Sequence, residues 1–236
     1  MTLLMKPRRT CNTKAMTRVI AGRAGGRRLA VPPGTTTRPT SDRAREGLFA
    51  SLLSELGTFD GARVLDLYAG SGAIGLEALS RGAERVLLVE SDARAAAVIK
   101  ANVATVALPG ATLVVDRVER LLARPPAASA ASAAPAASAA AGADADAARF
   151  DLVIADPPYA VTEEAVTRVL TLLQADWLAD VALVVIERAT RSGPVDWPPG
   201  FLSGKSRRYG EATFWYGWYG SEAGAGQTGT ASRSEA

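Results

Sequence analysis

Asp66-Leu67-Tyr68-Ala69-Gly70-Ser71-Gly72-Ala73-Ile74-Gly75 is the stretch on which the fold of this 236-residue chain turns. An apolar run, Val64–Leu67, leads into it and a helical pattern over Ala73–Arg81 leads out, so it reads as a strand, a tight turn and a helix. Gly70 and Gly72 carry no Cβ, so the backbone can turn sharply there and pass close to a ligand. The spacing Gly70-x-Gly72-x-x-Gly75 also satisfies the dinucleotide fingerprint, which alone leaves the bound nucleoside open. Glu90 closes the next apolar run, eighteen residues past Gly72. A carboxylate at that place accepts hydrogen bonds from both hydroxyls of an adenosine ribose. Asp66, Tyr68, Ala69, Gly70, Ser71, Gly72, Glu90 and Ser91 are therefore the candidate cofactor contacts.

Outward from this stretch, short apolar runs alternate with helical patterns. Strands are expected at Val64–Leu67, Val86–Glu90, Leu113–Val115, Leu152–Ala155 and Val181–Glu187, and helices at Ala73–Arg81, Ala93–Val103 and Glu163–Leu173. That order predicts an α/β fold with a mostly parallel sheet covered on both faces. Lys205–Tyr209 and Thr213–Tyr219 flank Gly210 as an antiparallel hairpin at a sheet edge, and Phe214, Trp215, Tyr216, Trp218 and Tyr219 are read as packing residues. Upstream, Arg18–Ala21 and Arg27–Val31 form a second hairpin, Pro32-Pro33-Gly34 breaks the chain, and a helix starts at Ser41 or Asp42 and runs to about Leu56.

The expected division is a disordered basic leader over 1–16, with Met16 an alternative start, a hairpin and helix over 17–58, a main domain over 59–219 and a disordered tail over 220–236. Residues 123–148 interrupt the main domain: sixteen of these 26 are alanine, and Pro125, Pro126 and Pro135 break any helix, so a flexible insertion is expected.

Composition narrows the chemistry. There is no histidine, which removes His-based triads, His metal sites and the usual neutral-pH base, and no metal is expected. Cys11 is the lone cysteine and no apolar run approaches a membrane span, so a cytoplasmic protein without membrane contact is expected. Residues 1–45 hold eleven Lys/Arg and one acid, Asp42, whereas 46–236 hold sixteen Lys/Arg and 23 acids. A basic arm on an acidic body favours a polyanionic partner such as nucleic acid over a merely solubilising tail.

Asp156-Pro157-Pro158-Tyr159 then decides between nucleoside cofactors. It follows the strand Leu152–Ala155 directly, at the carboxyl edge of the sheet where open α/β folds bind ligands. An exocyclic base amine is a poor nucleophile because its lone pair is delocalised into the ring. The Asp156 carboxylate and the Pro157 carbonyl, held rigidly by proline, are two acceptors for its hydrogens and localise that lone pair on nitrogen. Tyr159 offers a face on which a base stacks. The reaction needs neither metal nor histidine if the methyl donor is S-adenosylmethionine. Asp156, Pro157, Pro158 and Tyr159 are the candidate catalytic residues.

At this point the chain resembles the bacterial RsmD-type 16S rRNA (guanine-N2)-methyltransferases over most of Thr17–Tyr219. The resemblance rests on Arg18-Val-Ile-Ala-Gly22, Gly26-Arg-Arg-Leu29, Arg38-Pro39-Thr40-Ser-Asp42-Arg43-Ala-Arg45-Glu46, Asp66–Gly72, Gly75-Leu-Glu-Ala-Leu-Ser80, Glu90, Asp156–Tyr159, Trp177-Leu178, Glu187 and Tyr209-Gly210. The Arg38–Glu46 stretch is the specific one, the others being shared by many amino-methyltransferases. It implies a Rossmann-like seven-stranded methyltransferase fold with a small N-terminal β-hairpin/helix extension. It also implies S-adenosyl-L-methionine as cofactor and one guanine of 16S rRNA as target, on the small ribosomal subunit or its assembly intermediate. A monomer is expected. The alanine-rich insertion departs from the compact core, and Asp116, followed by Arg117, stands where an acidic residue near the adenine is expected. Arg27, Arg28, Arg38, Arg43 and Arg45, with Arg18 and Arg23, are the candidate phosphate contacts. Three other readings stay open: adenine-N6 or cytosine-N4 methylation, a non-catalytic RNA-binding or assembly protein, and a nicotinamide oxidoreductase.

Overall fold

The computed structural model describes residues 16–33, 42–126 and 148–220. Strands β1 (Met16–Arg18) and β2 (Arg28–Ala30) pair antiparallel, and helix α1 (Asp42–Leu56) follows. Then come β3 (Arg63–Leu67), α2 (Ala73–Ser80), β4 (Arg85–Glu90), α3 (Ala93–Val106), β5 (Ala111–Val115), α4 (Val118–Leu122), β6 (Phe150–Ala155), α5 (Glu163–Asp176), β7 (Leu178–Ala189), β8 (Phe201–Tyr209) and β9 (Ala212–Gly220). The last seven strands make one sheet in the order β5-β4-β3-β6-β7-β9-β8, with β9 antiparallel to both its neighbours and every other pair parallel. This is the Rossmann-like methyltransferase fold expected from the sequence.

Alternation along the strands sorts the core into two faces. Leu65, Leu67, Val153 and Ala155 point to the face covered by α4 and α5. Val64, Leu152 and Ile154 point to the opposite face, where Leu48, Phe49 and Leu52 of α1 pack with Leu79 of α2 and Ile99 of α3. Phe214 and Tyr216 are buried in that second face, so these two aromatics are core.

The N-terminal hairpin is shorter than its apolar pattern predicts. Ile20 and Ala21 leave the ladder because their amides donate to the Glu77 carboxylate, at 2.6 and 3.0 Å, instead of to a neighbouring strand. Ser80 repeats the device: its hydroxyl accepts from the Ala24 amide at 2.9 Å and donates to the Ala21 carbonyl at 2.6 Å. Gly22 must approach this way, since its φ is +82° and a Cβ there would stand 2.0 Å from the Ser80 carbonyl oxygen. Val19, Ala24 and Leu29 then pack on Leu76 and Val106 in a small third cluster. The hairpin is thus fastened to α2 and α3. Of the expected alanine-rich insertion, 127–147 lie outside the described residues, as do 1–15 of the expected leader and 221–236 of the expected tail, while Met16 and Gly220, expected to be disordered, belong to β1 and β9.

Candidate active site

The chain order of the sheet creates the site. From β3 the chain moves outward through β4 to β5, then returns to β6 on the other side of β3. Connections leaving in opposite directions open a crevice at the carboxyl ends of β3 and β6, the place where such sheets bind ligands. A cavity of about 400 Å³ lies there, lined by Asp66, Gly70, Ser71, Glu90, Asp156 and Pro158 among others. Tyr68, Ala69 and Ser91 also line it.

The glycine turn is held by two side chains, Glu90 and Asn102. Tyr68, Gly70 and Gly72 all have positive φ, at 59°, 55° and 74°. One Glu90 carboxylate oxygen accepts from the Gly70 amide and the other from the Asp92 amide, both at 2.8 Å. Asn102 Nδ2 donates to the Ser71 carbonyl at 2.8 Å. Gly75 serves packing and not a ligand: a Cβ there would come within 2.7 Å of Leu88 and Val86. Each carboxylate oxygen of Glu90 keeps a further lone pair able to accept a hydrogen bond. Glu90→Ala is expected to weaken S-adenosylmethionine binding by about 1–3 kcal/mol, as for a lost hydrogen bond to a charged group. Calorimetric titration checks this, and unchanged affinity would remove Glu90 from the site.

Asp66 is buried beneath the turn and accepts from the Gly75 amide at 2.8 Å, which satisfies the start of α2 in place of a capping side chain. Burial pushes its carboxyl up to about 7 despite that bond, and the charge of Glu90 adds to the rise. The folded protein therefore keeps a proton that the unfolded chain, titrating near ~4, has released. This contribution to stability is full below about pH 4 and is lost as pH rises through about 7. The melting temperature should fall over that window, and Asp66→Asn should flatten the fall; an unchanged slope would contradict the assignment.

Asp156 follows β6, and its amide donates to the Leu67 carbonyl at 3.3 Å. Ala155 of β6 pairs with Ile186 of β7, so Glu187 stands one step on, beside Asp156. Burial holds the Asp156 carboxyl well above the usual carboxylate range, and the charges of Glu187 and Asp66 add to it. Pro157 is buried, while the Pro158 carbonyl accepts from the Val161 amide at 2.8 Å and closes the turn. Tyr159 is 52% exposed and does not line the cavity, so its ring is open to solvent.

Three expected contacts are placed elsewhere. Asp116 does not line the cavity; its carboxylate is taken by Arg120 and Arg124. Arg45 is not a solvent-facing phosphate contact: its side chain is 2% exposed and donates to Thr17, Arg18 and Asp42. Arg27 donates to the Thr105 and Val106 carbonyls, where it satisfies the end of α3. Arg28 and Arg43 are exposed, and Arg38 lies outside the described residues. The reading of the sequence missed Thr17, Val31, Pro32 and Pro33, which line the cavity from the N-terminal arm. It also missed Asn102, whose side chain exchanges two hydrogen bonds with the Ala30 backbone, at 2.8 and 2.9 Å. Among the described residues no group of His, Cys, Asp or Glu is arranged to hold a metal, and no helix is long and apolar enough to cross a membrane.

The family profile described as Conserved hypothetical protein 95 matches residues 17–218. The chain is 33% identical over 186 residues to Ribosomal RNA small subunit methyltransferase D of Escherichia coli (strain K12), covering 76% of this chain and 80% of that one. A shorter stretch of 91 residues is 46% identical to a candidate rRNA methyltransferase of Bacillus subtilis (strain 168), 39% of this chain and 48% of that protein. A solved Escherichia coli structure, of a candidate methyltransferase, superposes with a TM-score of 0.69 at 30% identity over 87% of this chain and 99% of that one.

Proposed function

The chain belongs to the family described as Conserved hypothetical protein 95, and on that premise we propose that it transfers a methyl group from S-adenosylmethionine to the exocyclic N2 of one guanine in 16S rRNA. One observation carries the reading: a single cavity reaches from Glu90 on β4, across the end of β3, to Asp156 and Pro158 after β6. The carboxylate proposed to bind the ribose and the carboxylate proposed to accept from the target amine thus line one space, with Pro157 next to it in the chain. Its volume, about 400 Å³, falls within the range of small-molecule sites. The cofactor, when bound, supplies a methyl group already made electrophilic by a sulfonium.

The remaining work falls to the chain's own groups. Asp156 and the Pro157 carbonyl accept the two hydrogens of the target amine and localise its lone pair. The exposed Tyr159 ring stacks against the base. A positive charge in the cavity favours the ionised form of Asp156, which burial and Glu187 otherwise oppose. The proton shed after transfer leaves to water. Arg18, Arg23, Arg28 and Arg43, all exposed, are the described members of the proposed phosphate-binding set that remain after Arg27 and Arg45 are set aside. The guanine preference rests on the resemblance and on the names of the relatives, since the same acceptor pair serves adenine and cytosine amines.

Mass spectrometry of 16S rRNA nucleosides from cells lacking the gene tests this. Loss of one N2-methylguanosine is expected, restored by the wild-type chain and not by Asp156→Asn. Loss of an N6-methyladenosine or N4-methylcytidine would move the target to another base. Full restoration by Asp156→Asn would exclude Asp156 from the chemistry.

A further inference from the structure

The cavity contains a charge that the glycine turn and the acceptor pair do not explain. Its lining carries four carboxylates, Asp66, Glu90, Asp92 and Asp156, and two guanidiniums, Arg45 and Arg94. Arg94 sits exposed in the first turn of α3, next to the Asp92 cap and close to the ribose end. Arg45 is the buried one. It lies on α1, with a side chain 2% exposed, and shares the cavity wall with Thr17, Pro32 and Pro33.

Its five donors are incompletely used. Nη1 and Nη2 both donate to the Thr17 hydroxyl at 3.2 Å, and Nη2 also to the Arg18 carbonyl and to Asp42. The Nε–H is buried with no partner among the described residues. Asp42, the carboxylate it touches, is itself 46% exposed and shared with Arg18. A buried guanidinium with an orphaned donor is costly to keep. Burial lowers the Arg45 pKa, with Asp42 and Glu77 only partly opposing it. An anion in the cavity would meet the one buried guanidinium in its described wall.

The ligand proposed above brings one. Its amino-acid end carries a carboxylate, which a guanidinium binds well through a charge-assisted hydrogen bond. We propose that Arg45 receives the methionyl carboxylate of S-adenosylmethionine, so that the N-terminal arm and not the methyltransferase sheet recognises that end of the cofactor. This rests on the cofactor assigned under the proposed function.

Calorimetric titration of the full chain with S-adenosylmethionine and with its decarboxylated analogue tests it. The wild-type chain should bind the intact cofactor about 10- to 100-fold more tightly, the range for a charged hydrogen bond. Arg45→Gln should bind the two ligands equally, losing affinity only for the one with a carboxylate. Arg45→Lys keeps a cation there and should retain part of the preference, and thermal melting verifies that each variant folds. An equal loss for both ligands in Arg45→Gln would make Arg45 a purely structural residue and overturn the proposal. So would a wild-type chain that does not distinguish the ligands, which needs no variant to fold. Binding of neither ligand by the wild-type chain would instead take down the cofactor reading itself, and this proposal with it.

Discussion

Asp156→Asn is expected to slow single-turnover methyl transfer by about 10²–10³ with little change in the affinity for cofactor or RNA. Asparagine keeps the shape of the side chain and its place after β6. It loses the charge, and its NH2 group presents hydrogens where the target amine needs an acceptor. Positive character grows on the attacking nitrogen as the methyl moves, so a missing negative charge is felt most in the transition state. The expected size is that of removing one oriented group from a preorganised polar site. The measurement is a single turnover with cofactor and RNA both saturating. Wild-type rates would exclude Asp156 from the chemistry, and with it most of the case for the tetrapeptide. Tyr159→Ala differs in kind: its ring is exposed, so the loss should appear in productive RNA binding, by roughly 1–3 kcal/mol.

The second large effect lies away from the chemistry. Glu77→Ala is expected to destabilise the fold by about 2–4 kcal/mol, lowering the melting temperature by roughly 5–15 °C. The Glu77 side chain is wholly buried and serves three donors: the Ile20 and Ala21 amides and Arg81 Nε at 2.7 Å. Alanine leaves the two amides without their acceptor in a place where water replaces it poorly. Glutamine keeps one acceptor oxygen and should cost less. The hairpin also forms one wall of the cavity through Thr17, so cofactor affinity should fall along with stability. A melting temperature within about 2 °C of wild type would show the clamp to be dispensable.

What the sequence made legible was local. The glycine turn, Glu90 and the Asp-Pro-Pro-Tyr tetrapeptide each announce themselves within a strand and its next few residues. The order of strands and helices follows from periodicities over ten to fifteen residues. The docking of the hairpin was not legible, because Glu77 and Ile20 are 57 residues apart and Asn102 and Ala30 are 72 apart. Nothing in the Gly75–Ser80 motif says that its glutamate faces another segment's backbone. The arginines were misread for a related reason. Clustering in the sequence gives the sign of the arm's charge but not which guanidinium faces water. Arg27 is spent on a helix end and Arg45 is enclosed, while Arg28 and Arg43 stay outside. Asp116 was placed by analogy of position, and the two arginines that hold it, four and eight residues along, outweigh that analogy.

Asn102 joins two regions that the chain keeps far apart. One amide group holds the end of the hairpin, at Ala30, and the glycine turn, at Ser71. A force that shifts the hairpin on α3 therefore has a direct route through Asn102 to the glycine turn. Thermodynamic linkage makes this symmetrical. If a partner gripping the hairpin tightens the turn by some free energy, a ligand seated on the turn tightens the partner's grip by the same amount. An enzyme so wired would hold its methyl donor most firmly while docked on its target and release the spent donor more readily once detached. Severing the link with Asn102→Ala should leave both affinities measurable and weaken their dependence on each other, the hairpin residues that line the cavity keeping the rest.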